Sequence, residues 1–345
     1  MTKTMPNIHI SDRGKIALAA VAVAVLTTTA FAGCLSSDKT TLIQTGSSTV
    51  LPLANAWAEE FDGAEVSVSG GGSSHGINSL FLGEADLGDA SRKIKTGDYE
   101  KVGCSASEAQ IAAAQSGNHP WQYPACSGVE PVEWLIAYDV LTVVVNNDND
   151  WATNLNYSQL YAIFTDDDPA DYWDEVPWLD EAPHKKIEIY APDEASGTYD
   201  YFFEEIIPGW GDDDQQANTR LAAGDGVYHP SADDNVILNA ISDNTYAIGY
   251  FGYAYYEENQ GMVTPVHVAK EGTDYQEPSM ANVADYPMSR PLHIYTNGIP
   301  ETGTTVNDYL RYILSDEGQR IVPEVGYVRL SLVDENLATN QRALL

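Results

Sequence analysis

Three short stretches, TGSSTVLP (45–52), SGGGSSHG (69–76) and EASGTYD (194–200), place small hydroxyl residues directly ahead of apolar residues at helical spacing. A helix N-terminus leaves several backbone N–H groups without acceptors and carries about half a positive charge. Glycine lets the main chain approach an anion closely, and serine and threonine add O–H donors. Such segments can hold an oxyanion almost without cationic side chains, although each alone could equally be an ordinary Ser or Thr cap on a flexible turn. A fourth stretch, DLGDASR, ends on Ser91 and Arg92. Arg92 offers five directed N–H donors suited to phosphate-like oxygens, or it could pair with any of the many surface carboxylates.

Residues 42–52 read as a short strand, a Gly/Ser turn and the start of a helix that carries Leu51, Ala54, Trp57 and Phe61 on one face. EVSVSG alternates as a strand and runs through GGSSHG into the helical spacing Ile77, Leu80, Phe81. The most strand-like run is VEWLIAYDVLTVVVN, Val132 to Asn146. NYSQLYAIF reads as a helix, KKIEIYAP as a strand, and SGTYDYFFEEII and DDNVILNAI as helices. A second long strand, RPLHIYTN, opens at Arg290, and TTVNDYLRYILSDEGQRIV is expected as one last helix burying Val306, Leu310, Ile313 and Leu314. Repeated strand, polar turn and helix units predict an α/β fold with helices covering the sheets. The two long strands bracket the middle third, which predicts an inserted domain and a cleft between two lobes, where small ligands bind. The expected division is a signal over 1–33, a tether over 34–41, a first lobe over 42–141, a second over 142–288, and a return to the first over 289–345.

The chain has 345 residues, 51 acidic against 17 basic, and a formal net charge of -34. That length suffices for two cores, and 43% apolar residues with 21 Tyr and 7 Trp exclude a disordered chain. No basic stripe exists to neutralise phosphates, so nucleic acid is excluded as a partner, and anionic membranes are disfavoured. One-sided acidity spread along the whole chain fits a very salty medium, where ionic strength screens self-repulsion.

The N-terminus is a sorting signal. A weakly basic start with Lys3, Arg13 and Lys15 runs into IALAAVAVAVLTTTAFAG and stops at Cys34, too short a run for a stable span. Phe31-Ala32-Gly33-Cys34 resembles the lipobox of exported lipoproteins, whose cysteine becomes a lipidated N-terminus; a bare membrane anchor is the alternative. Either places the folded part outside the cytoplasmic membrane, close to it. SDRGK has a single arginine, so the export route stays open. Cys104 and Cys126, 22 positions apart, have no neighbour at metal-ligand spacing. In an exported chain they are expected to form a disulfide stapling an Ala/Ser/Gly-rich excursion, with two buried thiols as the alternative.

The chain resembles the phosphate-binding lipoproteins of the high-affinity phosphate ABC importer, the PstS family, and in particular its haloarchaeal members. The resemblance covers roughly 42–345. TGSSTVLPL, GGSSHG, DLGDASR and SGTYDYF are similar to the family's four phosphate loops, and DDNVILNAI, GYFGYAYYEEN and YPMSRPLHIY follow in family order. It implies a two-lobed class II periplasmic-binding-protein fold with two crossover strands. It implies phosphate contacts from Ser48 or Thr49, Ser74, Ser91, and Ser196 with Gly197 and Thr198. It also implies a monomer that delivers phosphate to membrane permease subunits powered by a cytoplasmic ATPase, with no cofactor. The better-known bacterial branch has an Asp where Ser91 stands and an Arg ahead of SGT, where this chain has APDEA. Arg92 is then expected in the cationic role. Asp200, or a carboxylate near Asp233 and Asp234, is the expected acceptor for a phosphate proton.

An enzyme is not expected. The histidines at 9, 75, 119, 184, 229, 267 and 293 show no pairing at metal-ligand spacing. Neither a GxSxG elbow nor a Walker-type loop is present. TDDDPADYWDE, WGDDDQQ and NNDND lack ordered Ca²⁺-loop spacing and read as solvated acidic turns, so no metal is expected. A secreted phosphatase, or a binding protein for sulfate or another oxyanion such as molybdate, remains the alternative.

Overall fold

The computed structural model describes residues 41–165, 167–194, 196–208 and 218–345. The signal, the tether, Cys34 and WGDDDQQ lie outside the described residues.

In chain order the first unit is strand β1 (Thr41–Gly46), helix α1 (Leu51–Glu60), β2 (Glu65–Gly70), α2 (Ser73–Phe81) and β3 (Leu87–Ala90). Two short helices follow, α3 (Thr96–Lys101) and α4 (Glu108–Ala114), then β4 (Trp121–Gln122) and the 15-residue β5 (Pro131–Val145). The middle of the chain holds β6 (Asn154–Asn156), α5 (Tyr157–Phe164), β7 (Glu188–Pro192), α6 (Gly197–Ile206), β8 (Tyr228–Ser231) and β9 (Ala247–Gly252). Three strands complete the set: β10 (Thr264–Pro265), β11 (His267–Ala269) and β12 (Ser289–Asn297).

One mixed sheet runs β2-β1-β3-β12-β5-β9-β7-β8, with β4 and β10 also pairing β5. β1 is parallel to β2 and β3, whereas β12 lies antiparallel to both β3 and β5. The N-terminal part of β5 pairs with β12, and Leu141–Val145 pairs with β9. β5 is buried almost throughout, which is why it reads as a continuous apolar run rather than an alternating one. It passes from one apolar core to another. Val132, Trp134 and Ile136 pack with Leu53, Trp57, Leu292 and Leu310, while Val143 and Val145 pack with Phe164, Phe202 and Tyr250. β5 and β12 are thus the crossover strands of an α/β fold built around two cores.

Four local expectations differ from the structure. TTVNDYLRYILSDEGQRIV forms two helices, Thr305–Ile313 and Asp316–Glu324, and two short ones follow, Leu330–Val333 and Leu337–Arg342. Ser315 is the reason: its Oγ accepts from Gly318 N at 3.1 Å and starts a new helix. Val306 packs against the core but is only half-buried, and Asn307 and Tyr309 join Leu310, Ile313 and Leu314 on the inner face. NNDND is solvated at Asn147, Asp148 and Asp150 but not at its other two positions, because Asn146 Nδ2 donates to Ile241 O and Ser242 O, and Asn149 Oδ1 accepts from Ala152 N. In the TDDDPADYWDE stretch, Asp171 pairs with the fully buried Arg220 at 2.7 Å and Trp173 is core.

A disulfide joins Cys104 and Cys126, whose Cα atoms are 5.9 Å apart. It closes the loop that carries α4 and feeds a satellite core of Ile77, Phe81, Tyr99 and Tyr123. No helix among the described residues is long and apolar enough to cross a membrane.

Candidate anion-binding site

The three hydroxyl-rich segments sit where strands of the sheet hand over to helices. The first follows β1, the second joins β2 to α2, and the third joins β7 to α6. Glycine makes the approach of the first two possible. A Cβ on Gly46, at φ +146, would lie 2.1 Å from Asp89 O, and one on Gly76 would lie 2.5 Å from the same oxygen. β1, β3 and α2 can therefore meet only with hydrogens at these two positions. Ser47 N donates to Asp89 O at 3.0 Å, tying the first segment to the strand that leads to Ser91. Asp89 itself is buried and takes Gln44 Nε2 at 2.9 Å. Burial pushes its carboxyl up to about 8, partly offset by that hydrogen bond.

Ser47, Ser48, Thr49, Gly71, Gly72, Ser73, Ser74, Ser91, Arg92, Asp200, Glu204 and Arg290 line a cleft of about 480 Å³. The structure thus brings together Ser48, Thr49, Ser74, Ser91, Arg92 and Asp200 from four separate parts of the chain. Ser196, Gly197 and Thr198 are not among the lining residues, but a Cβ on Gly197 would lie 3.8 Å from Thr49 Cα and 4.0 Å from Ser48 O. The start of α6 therefore abuts the first hydroxyl segment. Asp233 and Asp234 are not among the lining residues; Asp233 caps the helix Asp234–Asp243 through its bond to Asn235 N.

Capping does not consume most of these hydroxyls. The N-cap positions of α1 and α2 are Val50 and Gly72, neither with a side-chain cap. Ser196 and Ser47 are the exceptions, Ser196 Oγ accepting from Thr198 N at 3.2 Å and Ser47 Oγ from Thr49 N at 3.2 Å. Two hydroxyls are instead polarised by arginines. Arg92 Nη2 donates to Ser74 Oγ at 2.7 Å, and Arg290 Nη2 donates to Thr49 Oγ1 at 2.7 Å. A hydroxyl oxygen that accepts from a guanidinium turns its own hydrogen away, where an anion can use it. Ser73 Oγ lies 3.2 Å from Ser91 Oγ and accepts from Ser91 N at 3.0 Å, fixing the third segment against the second.

Both guanidiniums are held by carboxylates. Arg92 makes a two-pronged pair with Asp98 at 2.8 and 2.8 Å and also donates to Lys93 O. All its Nη hydrogens are engaged within the protein, so it meets the expectation of pairing with a carboxylate while also serving the cleft through Ser74. Arg290 pairs with Asp139 through Nε and Nη2 and with Glu204 through Nη1 at 2.8 Å, its Cζ 3.6 Å from the Tyr201 ring centroid. The charges about the cleft do not sum to a positive one, since Arg92, Arg290 and Lys101, whose Nζ donates to Ser74 Oγ at 3.2 Å, face Asp98, Asp139, Asp200 and Glu204. Donors, rather than excess charge, are what it offers an anion. Burial raises the Asp200 pKa; Arg290 opposes that and Glu204 adds to it.

Sequence reasoning missed Arg290, Asp139, Glu204 and Asp98. A signal existed for two of them. Asp139 interrupts an otherwise apolar buried strand, and a charge there demands a partner. Arg290 faces it in register on β12. Glu204, one helical turn after Asp200 on α6, carried no signal.

The chain matches the PBP superfamily domain over residues 35–317. The phosphate-binding protein PstS of Staphylococcus saprophyticus is 32% identical over 298 residues, covering 84% of this chain and 80% of that one. The chain belongs to the PstS family. PstS of Staphylococcus epidermidis is 30% identical over 292 residues, 82% of this chain and 77% of that one. The crystal structure of "a possible phosphate binding protein" from Planctomyces limnophilus superposes with a TM-score of 0.72 at 29% identity, covering 89% of this chain and 97% of that one. PstS from Borrelia burgdorferi, at 21% identity and a TM-score of 0.59 over 84% of this chain and 99% of that one, shares the fold. These relatives are bacterial. As a PstS-family chain it is a binding protein, not an enzyme.

Proposed function

We propose that this PstS-family chain captures inorganic phosphate in the cleft and delivers it, outside the cytoplasmic membrane, to the permease subunits of an ABC importer. The observation that carries the reading is the convergence of Ser48, Thr49, Ser74 and Ser91 on one cleft with Arg92 and Arg290 behind them. The ligand contacts are Ser48, Thr49, Ser74 and Ser91, with Gly197 and Thr198 at the start of α6 and Ser196 holding that turn. The lobes, 42–141 with 289–345 on one side and 142–288 on the other, close over the ion about β5 and β12. The chain is tethered through a lipidated Cys34 and works as a monomer. Calorimetric titration with phosphate, sulfate and molybdate at high salt tests this. One phosphate per chain with no turnover of a chromogenic phosphomonoester is expected; preference for another anion, or turnover, would overturn it.

Phosphate carries at least one O–H at neutral pH and sulfate carries none. A carboxylate facing that oxygen gains a charge-assisted bond with phosphate and repulsion with sulfate. We assign that role to Asp200. Because Asp200 is partly open to water, its Asn variant is expected to lose on the order of 30-fold in phosphate over sulfate preference. An unchanged ratio in D200N, with a reduced ratio in E204Q, would transfer the role to Glu204.

The acidity belongs to a salt-adapted surface of haloarchaeal type. With a net charge of -34, repulsion is screened over about 3 Å at 1 M salt against about 10 Å at 0.1 M. The melting temperature is expected to rise by several degrees between 0.1 and 2 M KCl, by roughly the same amount in NaCl. A flat or falling curve in both salts would remove the reading.

A further inference from the structure

Away from the cleft, the fold brings together three residues that sequence spacing keeps apart. His119, Glu133 and His293 each offer one donor atom, and these atoms all lie within 4.8 Å of one another. Glu133 Oε1 is 3.1 Å from His119 Nε2 and 3.3 Å from His293 Nε2. Zinc–nitrogen and zinc–oxygen bonds of about 2.0–2.2 Å in a tetrahedron put neighbouring ligand atoms roughly 3.3 Å apart. The observed separations from Glu133 Oε1 match that edge.

Two further features point to an ion. His293 is fully buried, and its Nδ1 and Nε2 make no well-formed hydrogen bond even though Nε2 lies beside the Glu133 carboxylate. A buried imidazole left so costs free energy, and a ligated ion at Nε2 removes part of that cost. Glu133 is turned by its surroundings: Tyr123 Oη donates to Oε2 at 2.7 Å and Tyr295 Oη donates to the same oxygen. Both phenols occupy one carboxylate oxygen and leave the other aimed at the two imidazoles, as outer-shell partners orient metal ligands.

We propose that His119, Glu133 and His293 form a structural site for a first-row divalent cation of the zinc type, with water in the remaining position. Two imidazoles and one carboxylate suit zinc, cobalt or nickel rather than calcium or magnesium, which take oxygen ligands. The ion reaches the site past His119, whose side chain is 13% exposed while the other two ligands are at 0%. Lys93, whose Nζ lies 4.7 Å over the Trp121 ring that stacks on His119, is a nearby cation and works against the site. The site braces the end of β3: His293 lies in register with Ala90, and Tyr295 Oη sits 3.5 Å from Arg92 O.

The test is Co²⁺ and Zn²⁺ titration of the full chain in phosphate-free, high-salt buffer, followed by ligand-field absorption and by metal analysis after dialysis. One equivalent is expected, with an absorption spectrum of low-coordinate nitrogen and oxygen ligation. H119Q, at the most exposed of the three ligands, is expected to lose at least about tenfold in affinity, while H184Q, at an exposed surface histidine, loses nothing. A proton-shared His–Glu–His network with no ion predicts no stoichiometric uptake, and that result overturns the proposal. So does uptake that H119Q leaves unchanged, since the ion would then sit among surface carboxylates.

Discussion

Arg290→Met is expected to destabilise the protein by about 3–5 kcal/mol, because it leaves Asp139 buried and unpaired. Arg290 is 7% exposed and Asp139 is 5% exposed, and they face each other across the two crossover strands. Methionine keeps the apolar stem against Tyr201 but supplies no donor, so the carboxylate loses both guanidinium bonds and the opposite charge. Glu204, the other partner, is about half open to water and is left at little cost. The melting temperature should fall on the order of 10 °C. Removing the orphaned charge as well, in R290M/D139N, should restore most of the loss, because the expense lies in the unpaired ion rather than in the missing attraction.

The deficit also has a pH signature. Burial raises the Asp139 pKa and Arg290 pulls it down. Without the arginine the folded-state pKa rises further above the unfolded value. Such a group is least harmful when protonated, so R290M should approach the parent at acid pH and fall behind as pH rises through the elevated pKa. Equal stability of R290M and parent at pH 8 would show that the pair contributes nothing.

Arg92 is expected to carry the largest share of phosphate affinity. R92A should weaken binding on the order of 100-fold or more, as losing a partly buried cation beside the anion together with the donor that orients the Ser74 hydroxyl costs roughly 2–4 kcal/mol. R92K should recover little, since a single ammonium cannot make the two-pronged contact with Asp98 and still reach Ser74. Because Arg92 acts partly by turning the Ser74 hydroxyl outward, the two effects must couple: in an S74A background R92A should cost clearly less than alone. Additive losses would assign Arg92 an action independent of Ser74. Thermal melts alongside separate loss of affinity from damage to Asp98, which also accepts from Lys95 N at 2.8 Å.

The order of strands and helices was legible because each has its own period. β5 is a long apolar run, α2 carries Ile77, Leu80 and Phe81 at helical spacing, and glycine- and serine-rich turns separate them. The chain's end misled for a local reason: Thr305–Glu324 is helical in period throughout, but one serine at 315 offers a cap in its middle. Hydroxyl segments at strand-to-helix turns were likewise readable, since capping and anion binding draw on the same unpaired N–H groups.

What the sequence by itself determined is the set of local elements and the donor-rich turns between them, because these depend on neighbours within a few residues. Only the tertiary structure decided which charges meet. Arg290 and Asp139 are 151 positions apart, and Glu133 and His293 are further apart still; antiparallel pairing of β5 with β12 brings each set together. Electrostatic partnership depends on distance and burial rather than on spacing along the chain, so a lone buried charge announces only that a partner exists, and the fold supplies its name.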